Sequence, residues 1–292
     1  MSTGGEQNGA QLAALAAQTP LLPVQAEAPQ AAGAEAWLRE FAQLLVKMAT
    51  TIYVDSRSRA SGSDSQFEIQ LRESLTFENA RLRVDKVRFT DSFFTTDLGR
   101  YVYFRDGSGG LNSFALPEQA FTGPCLAASL QSLTGRSCSY SDQTNALTMA
   151  QVSGQEFLDD TALRAFDASL FPAGASPTAP LSINQVLGPS HVNDDGNLVF
   201  SFVVMNPYNH VFLRSRRLTC EGVHGPDGTH DILCMIPLDQ GVGRTVVSGS
   251  PDNVYYELGS TTLRHIDFSL TDFRGNVVNL RGRSLSFQLV FD

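Results

Sequence analysis

The sequence predicts an all-β sandwich, preceded by an N-terminal arm and helix and carrying a mixed insertion near its middle. Three observations lead there. At least six segments alternate apolar and polar residues with period two, as strands with one buried face do. The 19 Phe and 7 Tyr, against one Trp, suit strands that fill a core with rings. No internal repeat divides the 292 residues, so they read as one large β domain rather than two copies of a smaller one. A sandwich of roughly 200–250 residues is an ordinary size. It buries roughly 70–75% of its unfolded surface and needs neither metal nor disulfide to be stable.

The arm is residues 1–33, rich in Ala, Gln, Gly and Pro, with no Lys, Arg or aromatic residue. Such a composition cannot bury enough apolar surface to offset conformational entropy, so it is expected to be mobile. Residues 34–50 follow as an amphipathic helix. Trp37, Phe41, Leu44, Leu45 and Met48 fall on one helical face, and Glu35 and Glu40 lie early with Lys47 late, which complements the helix dipole. That face packs either on its own domain or on a partner. Trp37, Phe41, Leu44 and Leu45 are therefore candidate interaction residues.

Residues 51–292 are the β domain. Ile52-Tyr53-Val54 opens it, and Phe67, Ile69 and Leu71 then alternate with Glu68 and Gln70. Leu82 and Val84 share one parity while Val87 and Phe89 take the other. A β-bulge near Asp85-Lys86 produces that slip and keeps the apolar side inward. Further strands are expected at 101–104, 146–150, 198–205, 211–220, 232–236 and 254–258. The clearest alternations come last, with Ile266, Phe268 and Leu270, and then Leu285, Phe287, Leu289 and Phe291. Asp272-Phe273-Arg274-Gly275-Asn276 supplies turn chemistry between them, and the chain is expected to finish on a strand built into a sheet. The insertion, about 116–191, is less regular. It holds a helix opening at Pro124 and closing near Gly135, a second over 157–170, and a loop at 171–180.

The formal net charge is −9, and only Lys47 and Lys86 among the 21 basic residues are lysines. No basic excess supports direct nucleic-acid binding. Arg214, Arg216 and Arg217 form the densest basic cluster, and Arg81, Arg83, Lys86 and Arg88 lie on another strand. Ion pairs within the domain or across a subunit interface are expected of them, with Arg214 and Arg216 as candidate interface residues. Surface pairs of this kind contribute ~0–1 kcal/mol each, so they set register more than stability. No stretch reaches the ~18 apolar residues of a transmembrane helix. The N-terminus lacks the pattern of a secretory signal, and Cys125, Cys138, Cys220 and Cys234, irregularly spaced, read as free thiols in a reducing compartment.

Cys220, His224, His230 and Cys234 form a Cys-x3-His-x5-His-x3-Cys array that invites a zinc site. A hairpin centred near Asp227 would set Cys220 opposite Cys234 and His224 opposite His230. Four residues along a strand span ~13 Å, whereas zinc ligands sit ~2.0–2.3 Å from the ion. Two buried thiols and two loop histidines are the better reading. The sequence has no Gly-x-Ser-x-Gly elbow, P-loop or His-Glu-x-x-His. It also lacks the His-x-His that a cupin enzyme on a β sandwich needs. No catalytic residue, cofactor or metal is expected, and the protein is read as no enzyme.

Several stretches resemble jelly-roll capsid proteins of the polinton, virophage and giant-virus lineage of double-stranded DNA viruses. They are Ile52-Tyr53-Val54-Asp55-Ser56-Arg57 with Phe67-Glu68-Ile69-Gln70-Leu71, then Leu116-Pro117-Glu118-Gln119-Ala120-Phe121, then Ser182-Ile183-Asn184-Gln185-Val186-Leu187-Gly188. The most specific is the run from Leu263 to Asn276, closed by Ser284-Leu285-Ser286-Phe287. Major capsid proteins of that lineage carry two fused jelly rolls and are longer. The resemblance therefore implies a single jelly roll and a penton or other minor capsid protein. It would be a homopentamer at icosahedral vertices, beside the major capsid protein and minor capsid proteins. Its place would be the virion capsid, after synthesis in the host cytoplasm or nucleus. A lectin-like or receptor-binding β-sandwich module, or a cement protein, is the alternative.

Overall fold

A computed structural model describes residues 49–167, 181–219, 225, 228–248 and 255–292. The arm (1–33), the helix (34–50) up to Met48 with Trp37, Phe41, Leu44 and Leu45, the loop 171–180, and Cys220 and His224 lie outside the described residues. Fifteen strands occur among those described. They are β1 (Thr50–Asp55), β2 (Ser61–Gly62), β3 (Gln66–Thr90), β4 (Tyr101–Arg105), β5 (Leu111–Ala115), β6 (Cys138–Ser141), β7 (Ala146–Ala150), β8 (Glu156–Phe157), β9 (Ser190–Val192), β10 (Asn197–Phe200), β11 (His210–Arg214), β12 (Ile232–Pro237), β13 (Thr245–Ser248), β14 (Tyr256–Thr271) and β15 (Ser286–Phe291). The helices are α1 (Gly123–Thr134), α2 (Asp160–Phe166) and α3 (Asn184–Leu187).

One antiparallel path runs β1-β15-β3-β14-β11-β12, with β2 and β13 also on β3. The 25-residue β3 belongs to two leaves. Its first part pairs with β14 from Gln66 to Leu82 and with β2, while its last part pairs with β15 from Leu82 to Arg88 and with β13. Leaf one is thus β2-β3-β14-β11-β12, and leaf two is β13-β3-β15-β1. Along the chain, β1, the two parts of β3 and β11 alternate between leaves; β12 then pairs with β11, and β13, β14 and β15 alternate again. This is the strand order of a jelly roll. Both leaves turn their apolar residues into one core, which holds Phe67, Ile266, Phe268 and Leu213 from the first and Val84, Phe89, Leu289 and Ile52 from the second. Phe268 of β14 meets Phe287 of β15 edge-on across it, ring centroids 4.9 Å apart.

The expected bulge is present. Lys86 has φ +50°, and three residues of β15 (Ser286 to Gln288) face four of β3 (Arg88 to Asp85). A second irregularity, at Asn79 (φ +49°) beside the Ala80–Gly259 pair (Gly259 φ +65°), falls near the place where β3 passes between leaves. It moves the buried parity from Phe67 and Ile69 to Leu82 and Val84. The backbone slip thus lets one strand serve two sheets with its apolar side inward throughout.

Residues 91–209, between β3 and β11, form a lobe with its own apolar cluster. This segment encloses the insertion expected at 116–191. Val102, Phe104, Leu126, Leu130, Met149 and Phe200 are among its fully buried members. The sheets are β6-β7-β10-β9 and β5-β4-β8, so the mixed α and β character is as expected. Helix α1 opens with Pro124 in its first turn and closes at Gly135 in the left-handed region. Gly123 is required there, since a Cβ would stand 2.1 Å from the Tyr140 ring.

Four expectations need correction. The strand expected at 198–205 ends at Phe200, because the Val203 amide bonds to Asn145 O and that of Val204 to Val186 O, outside the ladder. The strand expected at 211–220 ends at Arg214, where Asp267 takes the Arg216 and Arg217 amides and Ser215 Oγ takes that of Leu218. The helix expected over 157–170 begins only at Asp160, capped by Asp159, because Phe157 pairs with Phe104 in β8. Cys234 faces Leu213, not Cys220, since the β11-β12 pairing runs from His210 with Pro237 to Arg214 with Ile232.

Candidate functional site

The lobe leaves the barrel after Thr90 and returns at His210, and a cluster of polar and aromatic groups occupies that junction. Arg281, on the β14-β15 connection, reaches Asp97 on the outgoing chain with both terminal nitrogens, at 2.5 and 3.2 Å. It also donates to Ser92 O at 3.0 Å and lies 3.5 Å from the centroid of Phe94. Ser92 Oγ donates to Leu280 O at 2.9 Å. Phe93, fully buried, meets Tyr208 of the returning chain edge-on at 4.9 Å. Asp91 is fully buried; its Oδ1 accepts from the Phe93 amide at 3.3 Å, and its Oδ2 has no partner. Burial holds its carboxyl above the usual carboxylate range, the nearby Asp97 adds to that, and the Phe93 amide opposes it. Burial likewise pushes the Tyr208 phenol up, reinforced by Asp97 and Asp272 and opposed by Arg281. The base of the lobe is tied to the barrel by charge, stacking and backbone contacts together.

Arg214 is not at the surface. Its Nε donates to Thr271 Oγ1 at 2.9 Å, and its Nη1 to Thr229 Oγ1 at 3.1 Å and Asp231 at 2.9 Å. A register shift between Leu213 and Arg214 turns the side chain inward, so it is committed within the domain and not offered to a neighbour. Arg216 is exposed and lines an open groove with Ser61, Ser63, Glu68 and Asp267. Arg217 is exposed as well. These arginines follow leaf one, whereas Arg83, Lys86 and Arg88 lie on leaf two, and Arg81, where β3 passes between leaves, is paired with Glu257 of β14. On leaf one His265 pairs with Glu68 at 3.6 Å, and Asp267 is taken up by the Arg216 and Arg217 amides. Leaf two differs. Its outer rows run Tyr53-Gln288-Asp85 and Asp55-Ser286-Arg88-Val247, with Lys86 at the bulge between them. Tyr53 is 74% and Val247 69% exposed.

Among the described residues no three His, Cys, Asp or Glu side chains come together to hold a metal. Two of the thiols, Cys138 and Cys234, are poor nucleophiles. Burial pushes Cys234 up to about 12 and Cys138 up to about 11, and Cys125 is exposed. Arg136, buried in the lobe, sits 3.8 Å from the Phe104 centroid and donates to Gln155, so it is satisfied internally. No described helix is long and apolar enough to cross a membrane. The sequence expectations missed Asp91, Asp97 and Arg281, and the exposed Tyr53 and Val247.

By its strand order the protein belongs among jelly rolls. Within that class it is similar to the mavirus penton protein, seen in a crystal structure of the selenomethionine-labelled form, at 11% identity and a TM-score of 0.47, over 84% of this chain and 99% of that one. No family model matches the chain, and no curated protein does.

Proposed function

We propose that the protein is a structural subunit of an icosahedral viral capsid, the penton subunit that forms pentamers at the vertices beside the major capsid protein. The observation that carries this reading is one jelly roll per chain, with a large lobe inserted at one end and tied to the barrel by Arg281, Asp97 and the Phe93–Tyr208 contact. A single barrel repeated around an axis makes a head-to-tail interface that must close as a ring. The sequence motifs from Leu263 to Phe287, which resemble capsid proteins of the polinton and virophage lineage, point the same way. In this reading Trp37, Phe41, Leu44 and Leu45 dock on a neighbouring capsid component and Arg216 stands on the outside of the barrel.

Electron microscopy and native mass measurement of the purified chain test it. A five-fold ring is expected. A stable trimer, or a monomer at high concentration and low salt, would overturn the penton and return the reading to a binding module or cement protein. Normal incorporation of a Trp37→Ala/Phe41→Ala variant into shells would remove the docking role of the helix.

A further inference from the structure

The outer face of leaf two is charged and apolar at once; of its carboxylates, Asp55 is taken by Arg57 and Asp85 is half-buried. Lys86 and Arg88 are exposed and enter no ion pair among the described residues. Val247 stands directly beside Arg88 in the register, and Tyr53 lies one row along and two strands across, on the edge strand β1. Arginine and tyrosine are residue types enriched where proteins meet. Arg88 is two residues before the end of β3, so the patch lies at the barrel end from which the lobe departs.

The complementary surface is on the lobe. Residues 101–209 hold three arginines against nine Asp and Glu, most of the imbalance behind the chain's net charge of −9. Several of those carboxylates are already used. Glu156 pairs with Arg105, Glu118 with Arg100, and Asp159 caps α2. Asp194 and Asp195 are exposed and unpaired among the described residues, at the tip of the β9-β10 hairpin. Val192, 54% exposed, adjoins them on the edge strand. The tip is held by Asn193, whose Oδ1 accepts from the Asn197 amide at 2.8 Å and whose own amide donates to Asn197 O at 2.9 Å. A rigid tip loses little entropy on docking.

We propose that the β9-β10 tip of one copy docks on the outer face of leaf two of the next, with Asp194 and Asp195 against Lys86 and Arg88 and Val192 against Val247, the neighbour of Arg88. The inference rests on the ring proposed above and names its contact. Two different patches meet, so the interface is head-to-tail and fits a closed ring.

Charge exchange tests it on the full chain, with native mass reading the assembled fraction across a dilution series and circular dichroism confirming the fold. Lys86→Glu/Arg88→Glu and Asp194→Lys/Asp195→Lys should each raise the concentration for half-assembly about tenfold or more. Combining all four substitutions should restore assembly. As a second measurement, Val247→Cys with Val192→Cys should give intersubunit disulfides under mild oxidation that the parent chain does not, and their absence in assembled rings would count against the contact. If the parent forms rings while either reversal assembles normally, or the combined variant stays apart, this contact is refuted and the penton reading stands. A parent chain that forms no ring refutes both.

Discussion

Replacing Arg281 with alanine tests whether the junction is a structural clamp. The substitution strands Asp97, whose side chain is only 12% exposed, and removes the donor from Ser92 O and the cation from the face of Phe94. Breaking a buried ion pair costs about 3–5 kcal/mol. The Arg281 side chain is 25% exposed, so solvent screening reduces that figure, while loss of the ring contact adds about 0.5–1 kcal/mol. We expect a loss of about 2–4 kcal/mol for Arg281→Ala. The assay is urea unfolding of the parent, Arg281→Ala, Asp97→Ala and the double variant. Because the double variant removes the stranded carboxylate as well, its loss should fall short of the two single losses added together by about 1–2 kcal/mol. Arg281→Lys keeps the charge without the two-pronged contact and should lie between parent and alanine. Strictly additive losses would refute the clamp, since they would mean that the two groups do not act as a pair.

Arg214→Ala should cost about 2–4 kcal/mol in the same assay because it leaves Asp231 and Thr271 without their partner, whereas exposed Arg216→Ala should stay within about 0.5 kcal/mol of the parent. Equal effects would contradict the inward placement of Arg214. Asp91 has a raised folded-state pKa, so the stability it contributes is present at low pH and is lost as pH rises through that value. Asp91→Asn should remove that loss, and urea midpoints against pH should show a flatter rising-pH limb. In a Cys220→Ser background, a thiol reagent near neutral pH should modify exposed Cys125 quickly and half-buried Cys234 far more slowly. The raised Cys234 value further predicts that stability falls as pH climbs from 9.0, the ordinary thiol value, towards about 12.

What the sequence revealed of this fold follows from how each residue signals its surroundings. The bulge at Lys86 was legible because a parity change between Val84 and Val87 has few other causes. The crossing of β3 between leaves was not, because Leu75 and Phe77 continue the parity of Phe67 and Ile69 and the change to Leu82 and Val84 falls at the polar Glu78-Asn79, with nothing local to say that a second sheet begins there. Strands such as Cys138–Ser141 and Ser190–Val192 are too short and too polar to show a period; the lobe's sheets hold them in place. Arg214 looked external because it follows Leu213 with opposite parity, and only the register shift in β11-β12 reverses its direction. Tyr53 was read as part of a strand, but its exposure depends on β1 being an edge strand with its outer face uncovered. Asp97 and Arg281 are 184 residues apart, a separation that no local pattern bridges.

The shared strand also sets an order of events for a chain emerging from the ribosome. The lobe's cluster draws on a continuous stretch from Val102 to Val203 and can condense as soon as that stretch is free. The barrel must wait. Its first strand lies beside its last, Thr50 against Phe291, and β3 has β14 and β15 as neighbours on its opposite edges. Such distant pairings are slow to form, and they leave unpaired strand edges exposed meanwhile. Until β15 slots between β1 and β3, leaf two does not exist. A subunit therefore acquires its charged outer face only in the last step of its own folding, so a half-made chain can present its lobe but cannot yet receive the lobe of a neighbour.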